Sequence, residues 1–248
     1  MNRFKPTVQG RARAQLLRGH LGIAHNVPVV GVVGRLVWEK GYGDLFAAVK
    51  RLRAMGRNSF EVVVVGPSEP GKGDAVDRGA IEAMRGEGVR FLGQRNDITS
   101  LLQLFDVFIL PSRREGFPRA AMEACAMGVP VVATDIRGCR QVVAHGHNGF
   151  LYSVGAVDEL VDRIRRCLDD STMRARFGTA GIELARSQFD QQRVIDRTVA
   201  VYRRLLRKRG LAQLVPAART DRYSTSIDLV DDVASKSSAA AAAELPIL

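Results

Sequence analysis

The chain has 248 residues, 46% of them hydrophobic, which is enough for one large or two small globular domains. Its 37 Lys and Arg residues exceed its 26 Asp and Glu residues by 11, and such an excess predicts an anionic partner. Aromatic residues make up only 6% and are not interleaved with the basic ones, which argues against nucleic acid as that partner.

Cysteine usage and hydropathy bear on the compartment. The three cysteines are widely spaced, form no CxxC motif and are typical of reduced, structural thiols. The N-terminal sequence MNRFKPTVQGRARAQ has no apolar core of a signal peptide, and no run of about 18 apolar residues follows. We therefore expect a cytoplasmic protein without a membrane-spanning segment.

The chain divides into four parts by pattern. Residues 1–26 are basic and turn-rich, and we predict a linker-like segment with one short helix in RARAQLLRGHLGI. Residues 27–186 alternate between apolar runs and helical stretches. Residues 187–210 predict a C-terminal helix, and residues 211–248, rich in Ser, Ala and Asp, predict a disordered tail.

The middle part predicts the fold class. In order, its segments are VPVVGVVGRL, YGDLFAAVKRLRAMG, FEVVVVG, AVDRGAIEAMRGEG, VRFLG, DITSLLQLF, DVFILP, PRAAMEACAMG, VPVVAT, a short helix RQVVAHG, and GFLY. The strands are apolar throughout, which is typical of a parallel sheet buried on both sides. We therefore predict an α/β fold, a Rossmann-like parallel sheet with helices on both faces. Gly56 and Gly128 should end two of the helices in the left-handed conformation.

Ligands of an open parallel sheet bind outside the carboxyl ends of its strands. After the first strand, GRLVWEKGYGD offers Gly34 for close backbone approach, and Arg35 and Lys40 as cations beside a helix start. Together they could hold a diphosphate, or both cations could simply be solvated. Trp38 could lean over the cleft or cover the helix start.

The next two strand ends give weaker signals. Gly66, in VVGPSEPGKGD, could let a ligand approach the backbone or could be a turn former. Asp97, in GQRND, could accept hydrogen bonds from a nucleotide base, although capping of the following helix is the commoner role of such a residue.

The fourth strand is followed by SRREGFPRAAMEAC. Pro118 suits the first turn of a helix, which would leave the amides of Gly116 and Phe117 facing an anion. Glu115 at the strand tip could hold uncharged sugar hydroxyls, and Glu123, two turns into the helix, could accept hydrogen bonds from a ribose. Their alternatives are a capping-type acid and a solvated helix residue. Phosphates between cations and amides, flanked by two carboxylates, describe a nucleotide sugar.

Three segments carry a family resemblance. GRLVWEKGYGDL, LPSRREGFPRAAMEACAMGVPVVATDIRGCRQVV and NGFLY resemble the donor-binding half of the retaining glycosyltransferases of family 4, which have the GT-B fold. The resemblance covers about residues 1–205, and its E-x7-E pair with Gly-Phe-Pro is the strongest motif. DIRGCRQVV is further similar to bacterial transferases of surface-polysaccharide and lipid-linked oligosaccharide assembly.

The resemblance implies a role for each matching position. Arg35 and Lys40 match the cations on the donor diphosphate, and Glu115 matches the acid that holds the hydroxyls of the transferred sugar. Residues 116–118 match the segment whose amides meet sugar and phosphate, and Glu123 matches the acid on the ribose.

Arg95 and Asp97 match the place where such enzymes read the base, which leaves the nucleotide open. Gln141 stands where the family commonly has Glu, at a position to which we assign no donor contact.

The resemblance also implies an activity and its partners. We expect transfer of a hexose-type sugar from a nucleotide-diphosphate sugar to a glycan or lipid-linked acceptor, with no metal, because the cleft segments contain no DxD-like pair. The acceptor-binding half of the family does not match any part of this chain, so a separate acceptor-domain chain is one expected partner. Basic residues near the C-terminus could touch the inner face of the cell membrane or be solvated.

Two other classes of function compete with transfer. The chain could be a nucleotide-sugar-binding module or truncated fragment without turnover. A dinucleotide-dependent oxidoreductase is disfavoured, because the first strand–helix turn lacks G-x-G-x-x-G, and a serine hydrolase is disfavoured by the lack of G-x-S-x-G.

Overall fold

The computed structural model describes residues 4–189 and 191–211. Within them, six strands form one sheet: β1 Val29–Val33, β2 Glu61–Val65, β3 Val89–Phe91, β4 Val107–Leu110, β5 Val131–Thr134 and β6 Gly149–Tyr152. The order across the sheet is β3-β2-β1-β4-β5-β6, and every neighbouring pair is parallel. All carboxyl ends therefore lie at one edge, and the chain changes direction of travel between β1 and β4, where such sheets open a crevice.

Helices connect the strands. They are α1 Val8–His20, α2 Tyr42–Ala54, α3 Arg78–Gly86, α4 Ile98–Leu104, α5 Arg119–Ala126, α6 Arg137–Arg140, α7 Val157–Asp169, α8 Ser171–Gln188 and α9 Gln191–Lys208, with a 3-10 turn at Trp38–Lys40. Local sequence fixes several starts, because the side chains of Thr7, Asp77 and Asp170 accept hydrogen bonds from amides of the first turns of α1, α3 and α8. No helix in the described ranges combines the length and apolar character needed to cross a bilayer.

Alternate strand residues feed two hydrophobic clusters. Val63 and Phe108 pack on one face with residues of α1, α4 and α5, whereas Val62 and Val107 pack on the other with residues of α2 and α7. Each fully buried aliphatic side chain stabilises the fold by about 1.5 to 3 kcal/mol. The predicted fold class, a Rossmann-like parallel sheet covered on both faces, is confirmed.

Two glycines end helices as predicted. Gly56 and Gly128 have φ of 79° and 75° and lie two residues beyond the last residues of α2 and α5. An L-residue would be strained in this left-handed conformation, which glycine adopts freely.

The helix predicted in RQVVAHG is wrong, because α6 ends at Arg140 and turns follow. Asn148 provides the physical reason. Its side chain accepts a hydrogen bond from the Ala144 amide at 2.7 Å and donates one to the Val142 carbonyl at 2.9 Å, so these backbone groups are satisfied outside a helical ladder.

The chain divides into two compact units, Met1–Ile195 and Asp196–Leu248. The helix predicted near the N-terminus is confirmed as α1; it belongs to the first unit, where Ala14 is buried and Thr7 donates from its amide to the Gln103 side chain at 3.1 Å. The other predicted domain bounds stay predictions, and the tail predicted at 211–248 lies outside the described residues apart from Leu211.

Candidate functional site

Two loops meet at the carboxyl ends of β1 and β4, because these strands are neighbours in the sheet. Lys40 ends the 3-10 turn before α2, and Glu115 lies between β4 and α5. The Lys40 Nζ is 2.6 Å from Glu115 Oε1, across 75 positions of sequence. The two side chains are only 23% and 12% exposed, so this charge-assisted hydrogen bond is partly shielded from water. The structure thus brings together two predicted site residues.

Close backbone packing fixes this arrangement. A Cβ at Gly41, whose φ is 76°, would lie 1.8 Å from the carbonyl oxygen of Pro111, and a Cβ at Gly138 would lie 2.3 Å from that of Glu115. The buried Thr134 hydroxyl donates to the Ser112 carbonyl at 2.5 Å. The loop that carries Glu115 is therefore held from three sides by residues that the sequence analysis did not single out.

Arg35 follows β1 but takes a different partner. Its Nη1 lies 3.0 Å from Glu69 Oε2, and Lys72 Nζ lies 2.8 Å from the other oxygen of the same carboxylate. Hydrogen bonds from Lys72 and Arg35 hold the pKa of Glu69 below its usual range. Glu69 lies in the glycine-rich loop after β2, and no sequence pattern pointed to it.

The chain after β2 packs closely on the chain after β1, at Gly66 and Gly34. A Cβ at Gly66 would lie 1.9 Å from the Gly34 carbonyl oxygen, and the φ of Gly66 is 151°. The Gly34 amide donates to Val65 at 2.9 Å, and its carbonyl accepts from the Tyr42 hydroxyl at 3.1 Å. Gly66 is therefore required by close packing of the strand ends, whereas a Cβ at Gly34 would make an ordinary contact of 3.9 Å with the Tyr42 hydroxyl.

Arg95 and Asp97 form their own pair after β3. Arg95 Nε and Nη2 donate to the two carboxylate oxygens at 2.9 and 2.7 Å, and these hydrogen bonds lower the pKa of Asp97. Asp97 occupies the N-cap position of α4, but its side chain caps no amide of that helix. The capping role that residue type favoured is therefore wrong for the side chain.

The Gly-Phe-Pro segment leads into α5. Pro118 is the N-cap residue and Arg119 the first helical one, so the helix begins one residue later than predicted. Phe117 is 54% exposed, and among residues 4–189 no acceptor binds the amides of Gly116 or Phe117. Glu123 is partly exposed and lies about one turn into the helix, not two.

A second ion pair joins the same two loops. Arg114 Nε donates to Glu39 Oε1 at 2.7 Å, and the Arg113 amide donates to the Glu39 carbonyl at 3.0 Å. Glu39 and Arg114 are the sequence neighbours of Lys40 and Glu115, with the signs reversed. The sequence contains both dipeptides, Glu-Lys at 39–40 and Arg-Glu at 114–115. Their complementary charges can be matched only once β1 and β4 are known to be adjacent.

The buried thiols are not candidate nucleophiles. Burial raises the pKa of Cys139 to about 11 and that of Cys125 to about 12, so both stay protonated near neutral pH. Within the described ranges, no group of three or more His, Cys, Asp or Glu side chains is placed to hold a metal ion. The expected independence from metal stays a prediction.

The sequence model of the family "Glycosyl transferases group 1" matches residues 14–184, which is more than half of the chain. The chain belongs to the group 1 glycosyl transferases. This match contains the loops that carry Lys40 and Glu115, and it confirms the predicted resemblance at the level of the group.

Individual relatives agree with this assignment. N,N'-diacetylbacillosaminyl-diphospho-undecaprenol alpha-1,3-N-acetylgalactosaminyltransferase of Campylobacter jejuni is 27% identical over 84% of this chain and 52% of its own length. D-inositol 3-phosphate glycosyltransferase of Corynebacterium glutamicum is 34% identical over 68% of this chain and 42% of its own. The chain spans about half the length of these curated relatives.

A solved structure supports the fold. The crystal structure of Anabaena HepE in complex with UDP aligns with a TM-score of 0.70 and 30% identity, over 80% of this chain and 55% of that one. The group 1 domain described here therefore corresponds to about half of that relative's chain.

Proposed function

We propose that this group 1 domain is the donor-binding half of a retaining glycosyltransferase of family 4. It would act on a nucleotide-diphosphate hexose and pass the sugar to a glycan or lipid-linked acceptor. The contact between Lys40 and Glu115 carries the proposal. In a sugar nucleotide the anomeric carbon is bonded to a phosphate oxygen, so the group that binds the phosphate and the group that binds the sugar hydroxyls must be adjacent, as these two are.

The chemistry needs the leaving diphosphate to be stabilised. The bond between the anomeric carbon and the phosphate oxygen breaks with its electron pair on that oxygen, and positive groups aimed at this charge lower the barrier. Lys40 and the amides of Gly116 and Phe117 would supply them. Arg35 would join by exchanging its Glu69 partner for phosphate, since its side chain is 49% exposed.

Uracil is the base that we propose. HepE, which aligns with 80% of this chain, was solved with UDP. The paired Arg95 and Asp97, 37% and 41% exposed, present charged donors and acceptors after β3, where the proposal places the base. Glu123 would accept hydrogen bonds from the ribose hydroxyls.

Calorimetric titration tests the proposal. UDP, UDP-glucose, GDP and GDP-mannose would each be titrated into the unmodified chain and into the variants Lys40→Ala and Glu115→Gln. The matched control is Lys50→Ala, which removes a cation on the exposed face of α2. We expect Lys40→Ala to weaken the binding of UDP and UDP-glucose at least about tenfold, because a hydrogen bond to a charged group contributes about 1.5 to 3 kcal/mol. Glu115→Gln should weaken the binding of UDP-glucose but not that of UDP. Folded protein that binds no nucleotide would contradict the proposal.

Binding without turnover is the second candidate. The chain spans about half of its curated relatives, and groups that orient an acceptor have to be supplied in addition to these residues. Donor affinity without any release of sugar from UDP-glucose in the presence of acceptor glycans would favour a binding module, completed by a separate acceptor-domain chain.

The C-terminal helix supports a cytoplasmic location at the inner face of the membrane. Between Asp196 and Leu211 the chain has six basic residues and one acidic residue. Val201, Tyr202 and Leu205 of α9 are exposed at helical spacing beside these cations. Such a surface suits an anionic bilayer. Sedimentation with phosphatidylglycerol vesicles should remove the protein from solution at low salt, and Leu205→Glu should abolish this, whereas equal binding to neutral vesicles would exclude it.

A further inference from the structure

A cavity of about 630 Å³ is lined by the residues that directly precede Lys40 and Glu115 in sequence. Its lining residues are Trp38, Glu39, Gly43, Asp74, Arg113 and Arg114. We propose that this cavity is a subsite for an uncharged sugar ring of the acceptor glycan. The inference rests on the proposed function, and it places part of the acceptor recognition within the donor-binding half itself. Its volume lies within the range of small-molecule sites.

The position of the cavity separates it from the proposed donor site. Glu39 and Arg114 are bonded at 2.7 Å and stand next in sequence to Lys40 and Glu115. Consecutive Cα atoms are about 3.8 Å apart, so the backbone that carries Glu39 and Arg114 is next to the backbone that carries Lys40 and Glu115. For transfer, an acceptor ring bound in the cavity would have to lie within one sugar unit of a ring held by Glu115, so that its hydroxyl can reach the anomeric carbon.

The charge of the lining favours a neutral ligand. The lining contains two guanidiniums, of Arg113 and Arg114, and two carboxylates, of Glu39 and Asp74. Arg113 is also paired with a third carboxylate, because its Nη2 lies 3.6 Å from the buried Asp44. An anion would gain no net attraction there. A polyhydroxyl ring instead needs donors and acceptors side by side, and guanidinium beside carboxylate provides both.

Trp38 supplies an apolar wall. Its indole packs edge-on against Phe46, with ring centroids 6.3 Å apart, and it remains partly exposed. Its amide donates to the Asp74 carbonyl at 2.8 Å, and the next amide, that of Glu39, donates to Asp74 Oδ2 at 3.1 Å. The ring is thus held on a fixed backbone, and an aromatic ring in such a position can cover the C–H face of a sugar. Trp38 therefore packs on Phe46 of α2 and also lines this cavity, whereas the alternative that it leans over the donor cleft stays a prediction.

The chain offers a built-in reporter, because Trp38 is its single tryptophan. Its emission would be followed while maltose, N,N'-diacetylchitobiose, lactose or glucuronic acid is titrated in the presence of saturating UDP. We expect a saturable change with at least one neutral disaccharide, at a dissociation constant in the millimolar range. Arg114→Ala should weaken it about tenfold. The matched control is Arg140→Ala, which removes an exposed guanidinium paired with Asp135 outside the cavity and should leave the titration unchanged.

The outcomes separate the two proposals. UDP binding by calorimetry with no saturable sugar response overturns the subsite and leaves the proposed function standing. Loss of UDP binding as well overturns the proposed function. A response to glucuronic acid alone overturns the choice of a neutral ligand, and a response that Arg114→Ala leaves unchanged overturns the location.

Discussion

Gly138 packs directly on the main chain of Glu115. A Cβ added at position 138 would lie 2.3 Å from the Glu115 carbonyl oxygen, 2.9 Å from its carbonyl carbon and 3.1 Å from its Cβ. The short helix α6 therefore sets the position of the loop after β4, although α6 itself contributes no predicted ligand group. Any side chain at position 138 has to move Glu115 or α6.

Gly138→Ala should impair donor binding and stability together. Overpacking of a buried site costs about 1 to 3 kcal/mol, and here the atom in the way is backbone that cannot rotate aside. We expect a lower melting temperature and weaker UDP-glucose binding, measured by calorimetry. Gly19→Ala is the control, because Gly19 is an exposed position of α1 and a Cβ there meets nothing within 4 Å. This variant should not lower stability. Equal behaviour of the two variants would show that the loop adapts freely.

Lys40 and Glu115 should be energetically coupled without a donor. Each single variant, Lys40→Met or Glu115→Gln, leaves one partly shielded charge without its partner. Urea denaturation should show that the double variant loses less free energy of unfolding than the two singles together, by about 1 kcal/mol. The exposed Arg140–Asp135 pair is the comparison, with an expected coupling below about 0.5 kcal/mol. A coupling energy below about 0.5 kcal/mol for Lys40 and Glu115 as well would contradict the partial shielding of this pair from water.

Arg95→Ala should alter nucleotide preference more than stability. The Arg95–Asp97 pair is exposed, and exposed ion pairs contribute at most about 1 kcal/mol to folding. If the pair contacts the base, removal of the guanidinium should narrow the difference in affinity between UDP and GDP while the melting temperature changes little. An unchanged ratio of affinities would remove Arg95 and Asp97 from the base site.

The buried thiols should make the protein less stable in alkali. Burial raises the pKa of Cys125 to about 12 in the folded state, whereas an unfolded thiol titrates near about 8.5. Above the lower value only the unfolded chain releases the proton, so the free energy of unfolding should fall by up to about 1.4 kcal/mol per pH unit for each such thiol. Below the pKa of the unfolded thiol, the stabilisation that comes from keeping Cys125 protonated and buried is fully present.

Urea denaturation in mildly and strongly alkaline buffer measures this fall. Cys125→Ala should show a smaller decrease than the unmodified chain, whatever its absolute stability, because it lacks one of the titrating groups. Parallel decreases in both proteins would mean that the thiol titrates similarly in the folded and unfolded states.

Local patterns were sufficient to predict the sheet. Apolar runs of strand length, such as FEVVVVG, are buried on both faces, and the glycines at positions 56 and 128 end helices because only glycine adopts that backbone freely. The helix predicted in RQVVAHG failed because a side chain four or more residues away, that of Asn148, competes for the backbone groups. Periodicity carries no information on such competition.

The candidate site was predictable in its residue types but not in its pairs. Lys40 and Glu115 were recognised separately, whereas their contact depends on β1 and β4 being neighbours, which is a property of topology. Glu69 escaped notice because its loop has no periodic pattern, and only the structure shows that it binds Arg35. Long-range partners of charged side chains are in general set by the order of strands.

The strand order also has a consequence for how the chain assembles. In sequence, β2 and β3 come between β1 and β4, but in the sheet β1 and β4 are neighbours. The Lys40–Glu115 contact therefore closes a loop of 75 positions. Closing such a loop is entropically unfavourable and slows folding relative to local contacts. A cut in the exposed loop near Gln94 would leave β1 on one fragment and β4 on the other. Nucleotide affinity would then measure fragment complementation, because neither fragment carries both charges.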